Sequence, residues 1–233
     1  MAGAGVPDKL RQAMTETYAY SPETIIKAYS LGVFPMAESR DDPEINFYEP
    51  EIRGVLRLTP PHIPRRLLRL VRQKPYRITL DTDFKSVIEA CAAPSNTRDD
   101  SWINPEIVTL YCALHKMGFA HSVEVWDGDA LIGGLYGVRL GRAFFGESMF
   151  SRSSNASKIA LTHLIARLYY AGYTLLDAQF SNDHLMQFGL EEIPKEIFKA
   201  RLAEALSAPV AFPSDISEDL ALAYLAQVRT DTS

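Results

Sequence analysis

Three apolar-alternating segments, His121–Trp126, Leu131–Arg139 and Ala143–Phe150, follow one another with only Asp127-Gly128-Asp129 and a turn at Gly141 between them. Connections that short join antiparallel neighbours, so this stretch predicts a three-stranded meander. Directly after it, Asn155 as N-cap opens a long helix to about Tyr170 that Gly172 ends. Thr174–Phe180 is a further apolar strand, and a short helix begins at Asp183 and reaches Phe188. Upstream, Tyr76–Leu80 is a strand and Asp83–Ala92 a helix. Asn104-Pro105-Glu106 starts a helix that runs through Lys116 and stops at Gly118. Strands and helices so interleaved define an α/β (α+β) chain with an antiparallel-rich mixed sheet.

That order of elements resembles the GNAT-like acyltransferase fold, in which a meander precedes a helix and splayed strands open a cleft. Ahead of it, Ser21 as N-cap and Pro22 at N1 start a helix with a stripe of Ile25, Ile26, Ala28 and Tyr29, ending at Gly32. Phe34-Pro35-Met36, an acidic stretch at 38–44 and Phe47-Tyr48-Glu49-Pro50 follow, too aromatic and irregular for a linker. The expected organisation is a small N-terminal lobe at 1–60, a GNAT-like domain at 61–205, and an acidic tail at 206–233 with room for a helix at 216–228. An acetyl-CoA enzyme of this fold holds the pyrophosphate on glycine-rich backbone ahead of the long helix. Here that turn is Ser151-Arg152-Ser153-Ser154-Asn155-Ala156-Ser157, without glycine, which disfavours CoA.

Charge is distributed unevenly. The 233 residues carry 24 Lys+Arg against 29 Asp+Glu, a net charge of -5, which argues against a wholesale polyanion binder. Yet Arg53, Arg57, Arg65, Arg66, Arg69, Arg72, Lys74 and Arg77 fall within 25 residues that contain no acid, leaving 16 positive against 29 negative elsewhere. Pro64 opens a helix there, with Leu67, Leu68 and Val71 inward and Arg65, Arg66, Arg69 and Arg72 outward. Such a face is either a solvated surface or a footprint for nucleic-acid phosphates, and the missing acidic partners favour phosphates. Cys91 and Cys112 sit in apolar helical patterns without metal-ligand spacing, so both are expected to be buried reduced thiols, with no metal and no cofactor. No apolar run approaches the roughly 18 residues of a membrane span, so a cytoplasmic monomer with no membrane partner is expected.

Polar residues inside apolar strands are the candidates for chemistry. Alternation from Phe145 puts Glu147 on the face of Phe145 and Met149, where a carboxylate is either salt-bridged or awaits a ligand. Asp177 and Gln179 project to one face two residues apart, either as a structural pair or as an acid and an amide aimed into a cleft. Trp102 stands just before the helix cap at Asn104 and either stacks a base or covers the core. The five histidines show no catalytic spacing.

Taken together, AYSLGVFP (28–35), WIN (102–104), GESMFSR (146–152), NASK (155–158) and LLDAQ (175–179) running into SNDH (181–184) resemble the leucyl/phenylalanyl-tRNA–protein transferase family, over about residues 20–205. The resemblance implies transfer of Leu or Phe from aminoacyl-tRNA to an N-terminal Arg or Lys of an acceptor protein, which marks it for degradation. It makes Asp177 and Gln179 the catalytic acid and amide, and Glu147 a carboxylate near the terminal adenosine and aminoacyl group. Asn182 then contacts the donor α-amino group, and Trp102 stacks the adenine. Leu135, Phe144, Met149, Leu161, Leu164 and Leu176 fall where the family lines its apolar pocket. The basic stretch of Arg65, Arg66, Arg69, Arg72 and Lys74 falls where it holds the acceptor stem. Met36 stands in place of a Trp common after Phe-Pro, and Phe47-Tyr48-Glu49-Pro50 in place of Trp-Trp-Ser-Pro. On this reading Asp177 polarises Gln179, whose amide positions the incoming amine and relays its proton. The rival readings are a transferase of the same fold serving acidic N-termini, an acyl-CoA-dependent N-acyltransferase, and a non-catalytic RNA-binding module.

Overall fold

Several helix starts carry their own side-chain caps, as the residue types dictate. In the computed structural model, which describes residues 20–94 and 100–227, Ser21 accepts from the Thr24 N–H at 3.3 Å to open α1 (Pro22–Ser30). The basic helix α2 (Arg65–Arg72) starts behind Pro64 without a side-chain cap. Asp83 accepts from the Ser86 N–H at 3.2 Å to open α3 (Phe84–Ala92), and Asn104 Oδ1 from the Ile107 N–H at 2.8 Å to open α4 (Pro105–Lys116). Residues 1–19 of the expected N-terminal lobe, residues 95–99 and the last six residues of the expected tail lie outside the described residues.

The strands are β1 (Phe34–Met36), β2 (Asn46–Tyr48), β3 (Ile52–Leu56), β4 (Arg77–Leu80), β5 (Ala120–Asp127), β6 (Ala130–Leu140), β7 (Ala143–Ser151), β8 (Leu175–Gln179) and β9 (Leu190–Pro194). β1 and β2 form a ribbon of their own; the other seven make a mixed sheet in the order β4-β5-β6-β7-β8-β3-β9. The predicted meander is β5-β6-β7, all antiparallel. Residues 52–56, within the stretch assigned to the N-terminal lobe, are inserted into the large sheet between β8 and β9. The long helix is α5 (Ala156–Tyr170), followed by α6 (Asp183–Met186), α7 (Lys195–Leu206) and α8 (Glu218–Gln227). One core cluster joins the sheet to α2, α5 and α8, and a second joins it to α1, α3, α4 and α7, giving helices on both faces.

Strands β7 and β8 are the one parallel pair among the described residues, and they pair only from Ala143↔Leu175 to Phe145↔Asp177. β7 continues to Ser151 while β8 ends at Gln179, so the strands part just where Glu147, Asp177 and Gln179 stand. That parting is the origin of the cleft.

Several expectations are corrected. Asn155 makes no side-chain cap; it adopts a left-handed φ of 64°, and Ser151 Oγ accepts from the Ser157 N–H at 3.3 Å instead. β9 and α7 have no clear signature in the sequence, because Glu191 and Glu192 interrupt the apolar pattern of β9 and Pro194 gives α7 no capping side chain. Cys91 is buried, but Cys112 is only half-buried. No helix among the described residues is long and apolar enough to cross a membrane.

Candidate active site

Two β-bulges shape the cleft. In the β6–β7 ladder Tyr136 opposes Ser148 and Gly137 opposes Gly146, so Glu147 has no residue opposite it. A bulge reverses the alternation beyond it. Phe145 accordingly packs in the core cluster of α1 and α4, while Met149 packs in that of α5. The expectation that Phe145, Glu147 and Met149 share one face is thereby corrected: the extra residue turns Glu147 into the gap.

In the β3–β8 ladder Gly54 opposes Gln179 and Val55 opposes Asp177, leaving Ala178 as the extra residue. The chain then turns sharply, with the Phe180 N–H donating to the Ala178 carbonyl at 2.7 Å and Gln179 at a φ of 57°. A Cβ on Gly54 would lie 3.1 Å from the Phe180 carbonyl carbon and 3.2 Å from both the Phe180 oxygen and the Ser181 nitrogen. All three are backbone atoms, which cannot swing aside as a flexible side chain would. Gly54→Ala is therefore expected to displace this turn and destabilise the protein by about 1–3 kcal/mol, read by chemical unfolding.

The cavity in the gap has a volume of about 220 Å³. Glu147 and Gln179 face it, with Leu135, Met149, Leu161, Leu164 and Leu176 as apolar wall and Asn182 at the rim. Gly146, Asp177 and Ala178 also line it, as do Leu56, Tyr136, Ser148 and Leu185, which nothing in their sequence context singles out. Phe144, expected in this wall, is instead fully buried against Phe212, with ring centroids 5.8 Å apart, because pairing with Leu176 holds it where β7 and β8 are still joined. Trp102 also lies outside the lining. It is half-buried at the seam with the β1 ribbon, where its carbonyl accepts from the Ala37 N–H at 3.2 Å and Met36 packs on the same cluster.

Glu147 is the floor of a hydrogen-bonded chain. Its Oε1 accepts from Gln179 Nε2 at 3.2 Å and its Oε2 from the Tyr111 hydroxyl at 3.1 Å, and the Tyr111 hydroxyl also meets the Tyr29 hydroxyl. Burial pushes its pKa up to about 8; the Asp177 charge adds to the rise, while hydrogen bonds from Tyr29 and Tyr111 and the charge of Arg53 oppose it. Burial likewise holds the Tyr29 and Tyr111 phenols well above their usual range, so both remain protonated. By periodicity these tyrosines belong to core stripes. A hydroxyl in an apolar helical stripe is the signal that each needs a buried partner.

Asp177 sits differently from the expectation. Its carboxylate is wholly enclosed, accepting from Arg53 Nε at 2.9 Å on Oδ1, from Arg53 Nη2 at 2.6 Å on Oδ2, and from the Gln179 backbone N–H at 2.9 Å on Oδ1. It makes no hydrogen bond to the Gln179 carboxamide, so direct polarisation of that amide by Asp177 is corrected. Asp177 fixes the backbone of Gln179, and Glu147 receives its amide.

Arg53 thus leaves the basic surface altogether, being 1% exposed. Two further charges of the run also find acids on distant elements, Arg57 with Glu191 at 3.7 Å and Lys74 with Asp219 of α8 at 2.5 Å. Arg65, Arg66, Arg69 and Arg72 are exposed and form no ion pair among the described residues. Leu67, Leu68 and Val71 are buried beneath them as expected. Among the described residues no cluster of three or more His, Cys, Asp or Glu is arranged to hold a metal ion.

A carboxyl group poised to exchange a proton and an amide donor are not nucleophiles that compete with an amine. Such a site suits bond formation between two substrates held against one another, and an apolar pocket suits the side chain of an already activated acyl group. That combination fits an acyltransferase. The profile of the leucyl/phenylalanyl-tRNA protein transferase family matches residues 55–203, and that of the family's N-terminal domain matches residues 19–51. A leucyl/phenylalanyl-tRNA–protein transferase of Hyphomonas neptunium (strain ATCC 15444) is 60% identical over 193 residues, 83% of this chain and 75% of that protein. One from Rhodopseudomonas palustris (strain HaA2) is 53% identical over 192 residues, 82% and 86% of the two chains. The chain belongs to the leucyl/phenylalanyl-tRNA–protein transferase family and is an aminoacyl-tRNA–protein transferase. Among solved structures, L-PGS from Bacillus licheniformis aligns over 88% of this chain and 76% of its own at 12% identity and a TM-score of 0.39, too distant to bear on function.

Proposed function

We propose that this protein transfers Leu or Phe from aminoacyl-tRNA to proteins beginning with Arg or Lys, working in the cytoplasm on a GNAT-like scaffold whose splayed β7 and β8 hold the donor. The observation that carries this reading is the contact between Gln179 Nε2 and Glu147 Oε1 at the floor of an apolar cavity. The acceptor nitrogen bonds to the ester carbonyl carbon, and the bond from that carbon to the ribose oxygen of the terminal adenosine breaks. The acceptor ammonium sheds two protons in all: one passes through Glu147 to the departing ribose oxygen, and the other is released to solvent. An N-terminal amine has a pKa of about 8, and Glu147 is raised to about 8, so the transfer between them is close to thermoneutral and a stronger base would gain nothing. Gln179 orients the amine, Asp177 orients Gln179, and Leu135, Met149, Leu161, Leu164 and Leu176 select the donor side chain by apolar fit. On this reading Asn182, whose Oδ1 accepts from the Leu185 N–H to cap α6, meets the donor α-amino group at the rim, and Trp102 meets the adenine. Radiolabelled Leu-tRNA offered with model peptides beginning Arg, Lys, Asp or Glu tests the reading. Label on the Arg and Lys peptides alone supports it; label on the acidic ones alone, or on none, overturns it.

The exposed arginines of α2 bind phosphates of the tRNA, an attraction that carries no base specificity. Arg66→Glu/Arg69→Glu is therefore expected to raise KM for every aminoacyl-tRNA alike, and to flatten the dependence of log KM on log salt by about one unit for each phosphate left without its arginine. Transfer kinetics over a range of ionic strength read both effects. Lys74 is engaged by Asp219, so Lys74→Ala is the weakest variant of this set.

A further inference from the structure

Arg53 falls between the two stretches matched by the family profiles, 19–51 and 55–203, and it is the side chain on which four elements converge. Its Nη1 donates to the Gly32 carbonyl at 3.0 Å, at the end of α1. Its guanidinium carbon lies 4.5 Å from the centroid of Phe34 on β1 and 4.4 Å from that of Phe198 on α7. Its remaining fork holds both oxygens of Asp177 on β8. An arginine is suited to this because its planar fork fixes two oxygens at once while aromatic rings cover its faces.

Stability alone does not account for the pair. Removing two charges from water costs about what their attraction returns, and apolar replacements of a buried pair are often equally stable. The fork does, however, fix which way the Asp177 carboxylate faces. Oδ1 is shared between Arg53 Nε and the Gln179 N–H, each at 2.9 Å, and that N–H begins the left-handed turn from which the Gln179 amide reaches Glu147. A carboxyl group without the fork is free to rotate, and the turn loses its fixed acceptor.

We propose that Arg53 is a positioning residue for the transfer step: through Asp177 it sets the turn that aims the Gln179 amide, and it makes that aim depend on the docking of α1, β1 and α7. This rests on the reading of Gln179 and Glu147 as the groups that meet the substrates. A misplacement of about 1 Å at reacting groups costs up to about 100-fold in rate, so the effect falls on kcat and leaves donor binding, which is made by α2 and the apolar wall, unchanged.

Two variants test it. Arg53→Lys keeps the charge but cannot hold two oxygens and the Gly32 carbonyl together; it is expected to lower kcat at least tenfold, with KM for Leu-tRNA within about twofold of wild type. Arg53→Met/Asp177→Asn removes both buried charges, keeps an acceptor for the Gln179 N–H, and is expected to fold with a melting temperature at or above wild type while kcat stays as low as in Arg53→Lys. A merely structural role predicts that the double variant recovers activity along with stability. Wild-type kcat in either folded variant overturns the proposal, as does a loss confined to KM. Gln179→Gly, assayed in parallel, separates the two levels of inference: if it retains full activity, the reading of the site fails. If it loses activity while Arg53→Lys does not, the role of Arg53 alone fails.

Discussion

Glu147→Gln is expected to lower the kcat for transfer about 10²–10³-fold at pH 8, within the range for loss of a positioned proton acceptor. The substitution nearly preserves shape and mimics the protonated carboxyl, so what it removes is the ability to take up a proton. Burial keeps Glu147 protonated up to about pH 8, and the carboxylate fraction grows as pH rises through that value. With an acceptor whose nucleophile is uncharged across the range, the wild-type rate should climb through about pH 8, and the variant should be flat. Stability moves the other way. A carboxyl whose folded pKa lies above its unfolded value of 4.5 favours folding most below the unfolded pKa. That advantage is lost as pH rises from there through about 8, with a limiting slope of roughly 1.4 kcal/mol per pH unit. Glu147→Gln should therefore melt above wild type at pH 8 and converge with it near pH 4. A variant that is inactive but no more stable at pH 8 would contradict a carboxyl held neutral by burial.

What is legible in the sequence is whatever depends on neighbours in the chain. The caps at Ser21 and Asn104, the meander, the outward arginines of α2 and the apolar strand around Asp177 are local patterns, and each is found where expected. The bulges at Glu147 and Ala178 are not local, because a bulge exists only relative to the strand across from it. Alternation predicts Asp177 and Gln179 on one face, but the bulge at Ala178 and a left-handed turn, not a regular pleat, aim Gln179 into the cavity while Asp177 turns to Arg53. In the sequence Arg53 counts with the basic run, since its acid stands 124 residues away. Its position offers a hint: it lies alone in an otherwise apolar strand, a dozen residues ahead of the helix that carries the exposed arginines.

Gln179→Gly is the variant in which stability and activity should part most widely. A φ of 57° is a conformation that costs an L residue roughly 1–2 kcal/mol and a glycine almost nothing. Glycine gives back part of that gain through the greater freedom of its unfolded chain, on the order of 0.4–1 kcal/mol. The variant should thus unfold within about 1 kcal/mol of wild type or above it. Its kcat, by contrast, should fall 10²–10³-fold, the usual loss for one oriented polar group at a reacting centre. KM for Leu-tRNA should stay within about twofold, because the apolar wall and the arginines of α2 are untouched. Gln179→Asn tolerates the same backbone and keeps the amide one methylene short of Glu147, so it should fold well and recover only a small part of the rate. Glycine and asparagine variants no more than about 1 kcal/mol below glutamine in stability, and both far slower, are the signature of a residue held in strain for its chemistry. Urea unfolding and single-turnover transfer on the same three proteins measure the two orders. Wild-type turnover in the glycine variant would remove Gln179 from the chemistry.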